Sequence, residues 1–249
     1  MSSENLTGST KRYALITGAN RGIGLEIARQ LGQRGMVVFI GARDCRRGEA
    51  AAAQLRTDGI DAQAVLLDVT NSESIAAAAA RLERDPGKLD VLINNAGAAL
   101  DRGMKPSEVP LDILRATYEL NVFGPVAVTQ AFLPLLRRSD AGRIVNATSE
   151  LASITQNLNP DFKFSHIKLL AYSSSKTALN AITVLFADEL RSSPIKVNSA
   201  DPGYTATDFN GHRGTQRVEE GARAAVKLAL LPPDGPTGGF FNAEGALPW

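Results

Sequence analysis

The stretch that decides the fold is "YALITGANRGIG", residues 13–24. "YALIT" is a short apolar run of strand type, and "GIGLEIARQLG" after it carries apolar residues at helical spacing. The turn between them holds Gly18, Gly22 and Gly24. A strand that passes through glycines into a helix presents backbone N–H groups and a helix N-terminus to one point, a geometry suited to a pyrophosphate. The same glycines also suit a tight structural turn, and a glycine-rich loop alone is a weak signal. Here it follows a strand and opens a helix, which is the context that a dinucleotide loop requires.

Working outward, the pattern repeats. Strand-like runs occur at 12–17, 36–42, 62–67, 89–94, 143–148, 195–200 and 238–242. Most are apolar on successive residues, as expected of strands covered on both faces of a parallel sheet. Between them lie helical patterns at 22–35, 45–59, 72–85, from Ser107 to Arg138, and at 172–193. This alternation predicts right-handed crossovers and one α/β domain with a doubly wound, mostly parallel sheet of seven strands and helices on both faces. The expected organisation is a flexible N-terminal tail over 1–11 and a single domain over 12–249. Two stretches lack a clean period, 150–171 and 203–216, and long irregular segments of this kind are usually functional loops.

Composition removes several classes of function. The 249 residues carry a net charge of +1, with 44% hydrophobic and 21% charged residues. Such a balance provides no general field for a nucleic acid or an anionic membrane. The single cysteine, Cys45, excludes an internal disulfide, and the two histidines, His166 and His212, lie far apart, so a metal site is not expected. No run reaches the ~18 consecutive apolar residues of a membrane span, and the polar start "MSSENLTGSTKR" does not read as a signal peptide. A cytoplasmic location follows as the expectation.

The second informative stretch is "AYSSSK", residues 171–176. On a helix Tyr172 and Lys176 share one face, with Cβ atoms roughly 5–6 Å apart. Neither titrates near neutrality, since tyrosine ionises near ~10 and lysine near ~10.4. A cation about 4 Å from the phenol at an effective dielectric of ~20 favours phenolate by about 4 kcal/mol. That spacing therefore predicts a tyrosine able to give or take a proton near pH 7.

Taken together, "TGANRGIG", "NNAG" at 94–97, Ser149, Tyr172, Lys176 and "PG" at 202–203 resemble the short-chain dehydrogenase/reductase family of the classical type, and its carbonyl-reductase-like members in particular. The resemblance covers residues 12–249. It implies a single Rossmann domain that binds NAD(P) and transfers hydride. On matching positions, it implies that Ser149 holds the substrate oxygen and Tyr172 donates the proton. Lys176 acidifies the tyrosine and binds the nicotinamide ribose, and Asn121 in "YELNVFGP" holds a relay water. Thr148 is the rival hydroxyl to Ser149. The glycine loop, with Gly18, Asn20, Arg21, Gly22, Ile23 and Gly24, would cradle the pyrophosphate. Asp68 would contact the adenine, with Val69 beside it, although a turn before a helix would use the same aspartate. Asn95, Ala96 and Gly97 would floor the cofactor, and Asn94 there has a second reading as a tie between strand ends. Pro202, Gly203, Thr205 and Thr207 would cover the nicotinamide, the threonines having a rival role as caps.

Cofactor choice rests on the end of the second strand, "FIGARD". An acid there suits the ribose 2′-OH of NAD, whereas arginine suits a 2′-phosphate. The chain has Arg43, with Arg21 as a second cation and Arg47 as a third candidate, while Asp44 reads as an N-cap. NADP(H) is the expected cofactor. Ser149 and Tyr172 lie far apart because of 150–171, a feature that resembles carbonyl-reductase-like members. This insertion could roof the pocket with Phe162, Phe164 and Leu169 and favours a monomer. The resulting expectation is an NADPH-dependent reductase of ketones or aldehydes, reversible towards alcohols. The alternative is a non-catalytic NADP-binding redox sensor, which can lose the tyrosine or lysine.

Overall fold

The computed structural model describes residues 11–249; all but one residue of the expected tail, Lys11, lies outside the described residues. Seven parallel strands form one sheet: β1 (Tyr13–Thr17), β2 (Val37–Ala42), β3 (Ala62–Leu66), β4 (Val91–Asn94), β5 (Arg143–Ala147), β6 (Lys196–Ala200) and β7 (Phe240–Phe241). Their order is β3-β2-β1-β4-β5-β6-β7, so the winding reverses between β1 and β4. Open α/β sheets bind ligands in the crevice above that reversal, at the carboxyl ends of the strands.

The two-faced strand pattern has its counterpart in two cores. Ala14, Ile16, Val38 and Ile40 point to one face and pack with Ile27, Leu31 and Leu55. Leu15, Val37, Phe39, Leu92 and Ile144 point to the other and pack with Leu82, Phe132 and Leu190. Neighbouring positions serve opposite faces because side chains alternate along a strand. Each buried Leu, Ile or Phe contributes about 1.5–3 kcal/mol, so both layers are held by the residues that made the runs apolar.

The first face is covered by α1 (Gly22–Gly32), α2 (Cys45–Thr57), α8 (Val218–Gly221) and α9 (Arg223–Ala229). The second is covered by α3 (Ser72–Arg84), α5 (Gly124–Leu136) and α7 (Leu170–Glu189), with α4 (Leu111–Tyr118) leading into α5. Asp44 accepts from Arg47 N at 3.0 Å and Asn71 from Ser74 N at 2.8 Å. These caps start α2 and α3 by satisfying N–H groups that a helix leaves unpaired.

Three helical features differ from the sequence expectation. The stretch from Ser107 to Arg138 is not one helix: a 3₁₀ turn (Pro106–Glu108) precedes α4, and a π-helical turn (Glu119–Phe123) separates α4 from α5. Leu111–Leu136 is long and apolar enough to resemble a membrane span, but 56% of its apolar window is buried against the rest of the domain. The expected loop 150–171 contains a 3₁₀ turn (Glu150–Ala152) and a short α6 (Ile154–Leu158) before α7 begins. Finally, α8 and α9 occupy a stretch to which the sequence reading assigned no helix, and they are split at Gly221 and Ala222 into pieces of 4 and 7 residues.

Candidate active site

The glycine loop joins β1 to α1 at the reversal of the sheet. Gly18 and Gly22 adopt left-handed backbone, φ +63° and +58°, which side-chain-bearing residues rarely take. A Cβ on Gly24 would meet Asn95 Nδ2 at 2.4 Å and Gly18 O at 2.9 Å. No side chain caps the start of α1, so its first N–H groups face the crevice above the carboxyl ends of β1 and β4. This is a cradle that fits a nicotinamide dinucleotide's pyrophosphate. Asn20 and Ile23 are half-buried in this loop.

"NNAG" supplies the floor. Asn94 donates to Asn146 Oδ1 at 2.8 Å and Thr129 Oγ1 at 3.1 Å, which ties β4 to β5 and bears out its structural reading. Asn95 instead reaches the glycine loop, donating to Thr17 O at 2.8 Å. Thr17 Oγ1 accepts from the N–H groups of Asn95 and Ala96, both at 3.0 Å. A Cβ on Gly97 would lie 3.1 Å from Asn121 Oδ1 and 3.2 Å from Lys176 Nζ, so the absence of a side chain there lets both groups in.

At the end of β2, Arg43 is exposed and enters no ion pair among the described residues. Arg47 leans on Asp44 at 3.9 Å. Arg21 donates to Asp208 Oδ2 at 2.7 Å, across the crevice, rather than standing free. Asp208 also bonds His212 at 2.8 Å. These two partners, His212 first, hold its carboxyl below the usual range. Asp68 accepts from Thr70 N at 2.9 Å and Thr70 Oγ1 at 2.7 Å, so it builds the turn that the alternative reading assigned it. Val69 is buried behind that turn.

Asn121 sits in the π-helical turn, fully buried. Such turns widen a helix locally and occur often at functional sites. Its side chain accepts from Ala98 N at 3.0 Å and donates to Ala98 O at 2.9 Å and Ser175 Oγ at 3.0 Å. The loop after β4 is thereby fixed to α7. Ser149 follows β5 and accepts from Leu151 N at 3.2 Å, and its hydroxyl favours the ionised form of the Tyr172 phenol. Thr148 is buried, and its hydroxyl has no partner among the described residues. Of the two hydroxyls, Ser149 is the one that acts on the tyrosine.

The Tyr172–Lys176 pair differs from the expected electrostatics. Lys176 Nζ donates to Ala147 O at 2.7 Å and lies 5.9 Å from the Tyr172 ring centroid. Burial pushes Tyr172 up to about 12; the Ser149 hydroxyl and Arg102 oppose this, while the Asp201 charge adds to it. Burial alone pushes Lys176 down to about 8. One cause, removal from water, disfavours the charged form of each. The shift of the phenol therefore runs upward, whereas the sequence expectation has it lowered by the lysine.

The two irregular loops close over this set. Phe162 joins Leu151 and Tyr172 in a small buried cluster with Phe164 and Leu169 at its margin. Phe164 meets Tyr204 at 6.0 Å, and Phe209 meets Tyr172 at 5.7 Å. The Arg102 guanidinium lies 4.6 Å from the Phe209 ring. After Pro202, Gly203 takes φ +69°. Thr205 donates to Pro202 O at 2.9 Å and is absorbed in that turn. Thr207 lies against the glycine loop, its Cγ2 3.5 Å from where a Gly22 Cβ would be. Arg102, Phe209, Glu150 and Asp201 were not foreseen. Only Asp201, an acid directly before Pro-Gly, had a visible signal.

A glycine cradle at the switch point and a Ser-Tyr-Lys-Asn group beside it define a nicotinamide-dependent oxidoreductase site on a Rossmann sheet. Residues 12–218 match the short chain dehydrogenase family, and the chain belongs to it. It is 36% identical to a (+)-neomenthol dehydrogenase of Arabidopsis thaliana, with 94% of this chain and 97% of the relative covered. Similarity to carbonyl reductase (NADPH) 1 of Rattus norvegicus is 32% identity over 97% and 99% of the two chains. Among solved structures, the NADPH-bound carbonyl reductase from chicken fatty liver superposes with a TM-score of 0.83. It is 29% identical and covers 96% of this chain and 99% of its own.

Proposed function

We propose that this oxidoreductase reduces ketones or aldehydes to alcohols with NADPH, reversibly, and that Tyr172 is the proton donor. The observation that carries the reading is the meeting of Ser149, Tyr172 and Lys176 at the carboxyl edge of β5, beside a glycine cradle and a free arginine at the end of β2. Arg43, with Arg21 once released from Asp208, would hold a 2′-phosphate, and relatives named for NADPH support this. The glycine loop, Gly97, Lys176 and Thr207 would hold the rest of the cofactor, with Asp68 and Val69 at its adenine end. When bound, the nicotinamide supplies the hydride.

The chain's own residues handle the oxygen. Ser149 donates to the carbonyl oxygen as negative charge builds there, and Tyr172 delivers its proton to the same atom. Burial keeps that proton on the phenol at neutral pH, which suits a general acid in the reducing direction. Lys176, held by Ala147 O, is placed between the phenol and the Asn121 end of the crevice, where Asn121 would support proton exchange. The aromatic walls from Phe162, Phe164, Tyr204 and Phe209 favour an apolar carbonyl substrate. A monomer in the cytoplasm completes the reading; the free, exposed Cys45 is compatible with a reducing compartment.

The test is nicotinamide absorbance with NADPH, and separately NADH, against aliphatic, cyclic and aromatic ketones, aldehydes and diketones. Turnover with NADPH that Tyr172→Phe abolishes is the expected result. Tight NADPH binding with no turnover across the panel would overturn it in favour of a sensor.

A further inference from the structure

Asp201 follows β6, whose register places Ala200 beside Ala147, so it stands next to Thr148 and Ser149, which follow β5. It is buried, 4% exposed, between two elements of the site. Its Oδ1 accepts from Glu150 N at 3.0 Å, the amide that follows Ser149. Its own N–H donates to Phe241 O at 2.8 Å. The Gly203 amide nearby favours the charged form of the carboxyl. One side chain thus joins the turn that presents Ser149 to the Pro202–Gly203 corner.

A buried carboxylate beside a catalytic hydroxyl acts at a distance as well. The charged groups that face Asp201 are Glu150 and Lys163 from the insertion and Tyr172 from α7. Glu150 is also buried and pairs through Oε2 with the exposed Lys163 at 2.7 Å, so that cation offsets both acids. Burial, first, pushes Asp201 up to about 6, with the Glu150 charge adding. At pH 7 and above its negative charge is present and acts on Tyr172.

We propose that Asp201 is a positioning residue of the site, which places Ser149 through the Glu150 amide and sets a buried negative charge at the Ser149 turn. The inference rests on the reading of Tyr172 as the proton-transfer group. It assigns to the acid before Pro-Gly a task that the fold alone does not need, because an asparagine would make the same hydrogen bonds.

The test uses that difference. Alcohol oxidation with NADP⁺, for an alcohol from the panel above, rises with pH as Tyr172 becomes a base. Asp201→Asn keeps the acceptor for Glu150 N and removes the charge. Its plateau should fall at most about threefold, while the rising limb moves to lower pH by roughly half a unit or more. Asp201→Ala removes both, and its plateau should fall roughly tenfold or more. A limb in Asp201→Asn that coincides with the parent's, or an Asp201→Ala plateau equal to the parent's, overturns the proposal. If the parent turns over no substrate, the functional reading fails. Asp201 is then judged by ultraviolet titration of the phenol, taken as the difference from Tyr172→Phe. A lower midpoint in Asp201→Asn supports the proposal and an unmoved midpoint overturns it. Should Asp201→Asn not fold, Lys163→Gln at its exposed position removes the offsetting cation. The limb must then move to higher pH, and an unmoved limb overturns the claim.

Discussion

Lys176 Nζ sits 5.9 Å from the centre of the Tyr172 ring and spends a hydrogen bond of 2.7 Å on the Ala147 carbonyl. The lysine is thus tied to the end of β5, one residue before Thr148, and not to the phenol. Both residues ride on α7, and the β5 carbonyl fixes where the lysine's amine ends in the crevice.

Tyr172→Phe tests the proton donor. The ring and its packing against Leu151 and Phe162 are kept, and only the hydroxyl on which Ser149 acts is lost. Turnover should fall by at least ~10²-fold, the low end of what a general acid contributes. Calorimetric binding of NADPH should stay within a few-fold of the parent. Parental turnover in the variant would show that another group gives the proton.

Arg43→Ala tests cofactor choice. A guanidinium fork without an ion-pair partner among the described residues, at the end of β2, is available to a phosphate. NADPH affinity should fall roughly tenfold or more, at ~1.5–3 kcal/mol for a hydrogen bond to a charged group. NADH affinity should barely change. Equal loss of both, measured by titration calorimetry, would remove Arg43 from the 2′-phosphate.

Gly97→Ala separates fold from chemistry. The added Cβ would stand 3.1 Å from Asn121 Oδ1 and 3.2 Å from Lys176 Nζ, both near the ends of side chains. These ends give way more readily than backbone, so the protein should fold with a melting temperature close to the parent's. The two displaced groups are those that the reaction uses. A drop of roughly tenfold or more in kcat is expected, and a fully active, fully stable variant would show that neither position matters.

Lys176 also leaves a mark on stability. Folding holds its pKa at about 8 against an ordinary value of 10.5. Between those values the unfolded chain binds the proton and the folded chain does not, so stability rises as pH rises through that window. Below about 8 the penalty is constant. From pH 8 to 10 the parent should gain about 2 kcal/mol relative to Lys176→Met, at ~1.36 kcal/mol per unit. Urea unfolding at the two pH values measures it, and parallel behaviour of the two proteins would contradict the burial of this charge.

Where local chemistry and global fold agree, the sequence was easy to read. All seven strands fall within a residue or two of their apolar runs, because a strand covered on both faces must be apolar throughout. The glycine loop, Ser149, Tyr172 and Lys176 were legible because each is a residue type that its chemistry demands. Three kinds of fact were not. The π turn at Asn121 is a backbone accommodation with no residue signature. The Arg21–Asp208 pair joins positions 187 apart that only the sheet reversal brings together. The pKa directions of Tyr172 and Lys176 depend on burial in the assembled crevice, which spacing along one helix does not report.

A last prediction concerns how the catalytic helix begins. α7 starts after Leu169, which has no side chain able to cap it, and no acid lies in its first turn. Asp101, 70 positions earlier and fully buried, supplies the cap: its Oδ2 accepts from Ala171 N at 2.7 Å. An N-terminal helix N–H that is buried without an acceptor costs free energy, and a carboxylate there also meets the positive end of the helix dipole. Because Ala171 is the residue before Tyr172, the same bond fixes where the phenol enters the crevice. Asp101→Ala should destabilise the protein by about 1–2 kcal/mol, the range for loss of a cap. Hydrogen exchange at Ala171 should accelerate while exchange in β1 and β4 moves only with global stability. Asp101→Asn, which keeps an oxygen acceptor, should recover most of the loss. If Asp101→Ala lies within a few tenths of a kcal/mol of the parent and Ala171 exchanges no faster, the helix is held by its packing on β5 and β6 and not by this cap.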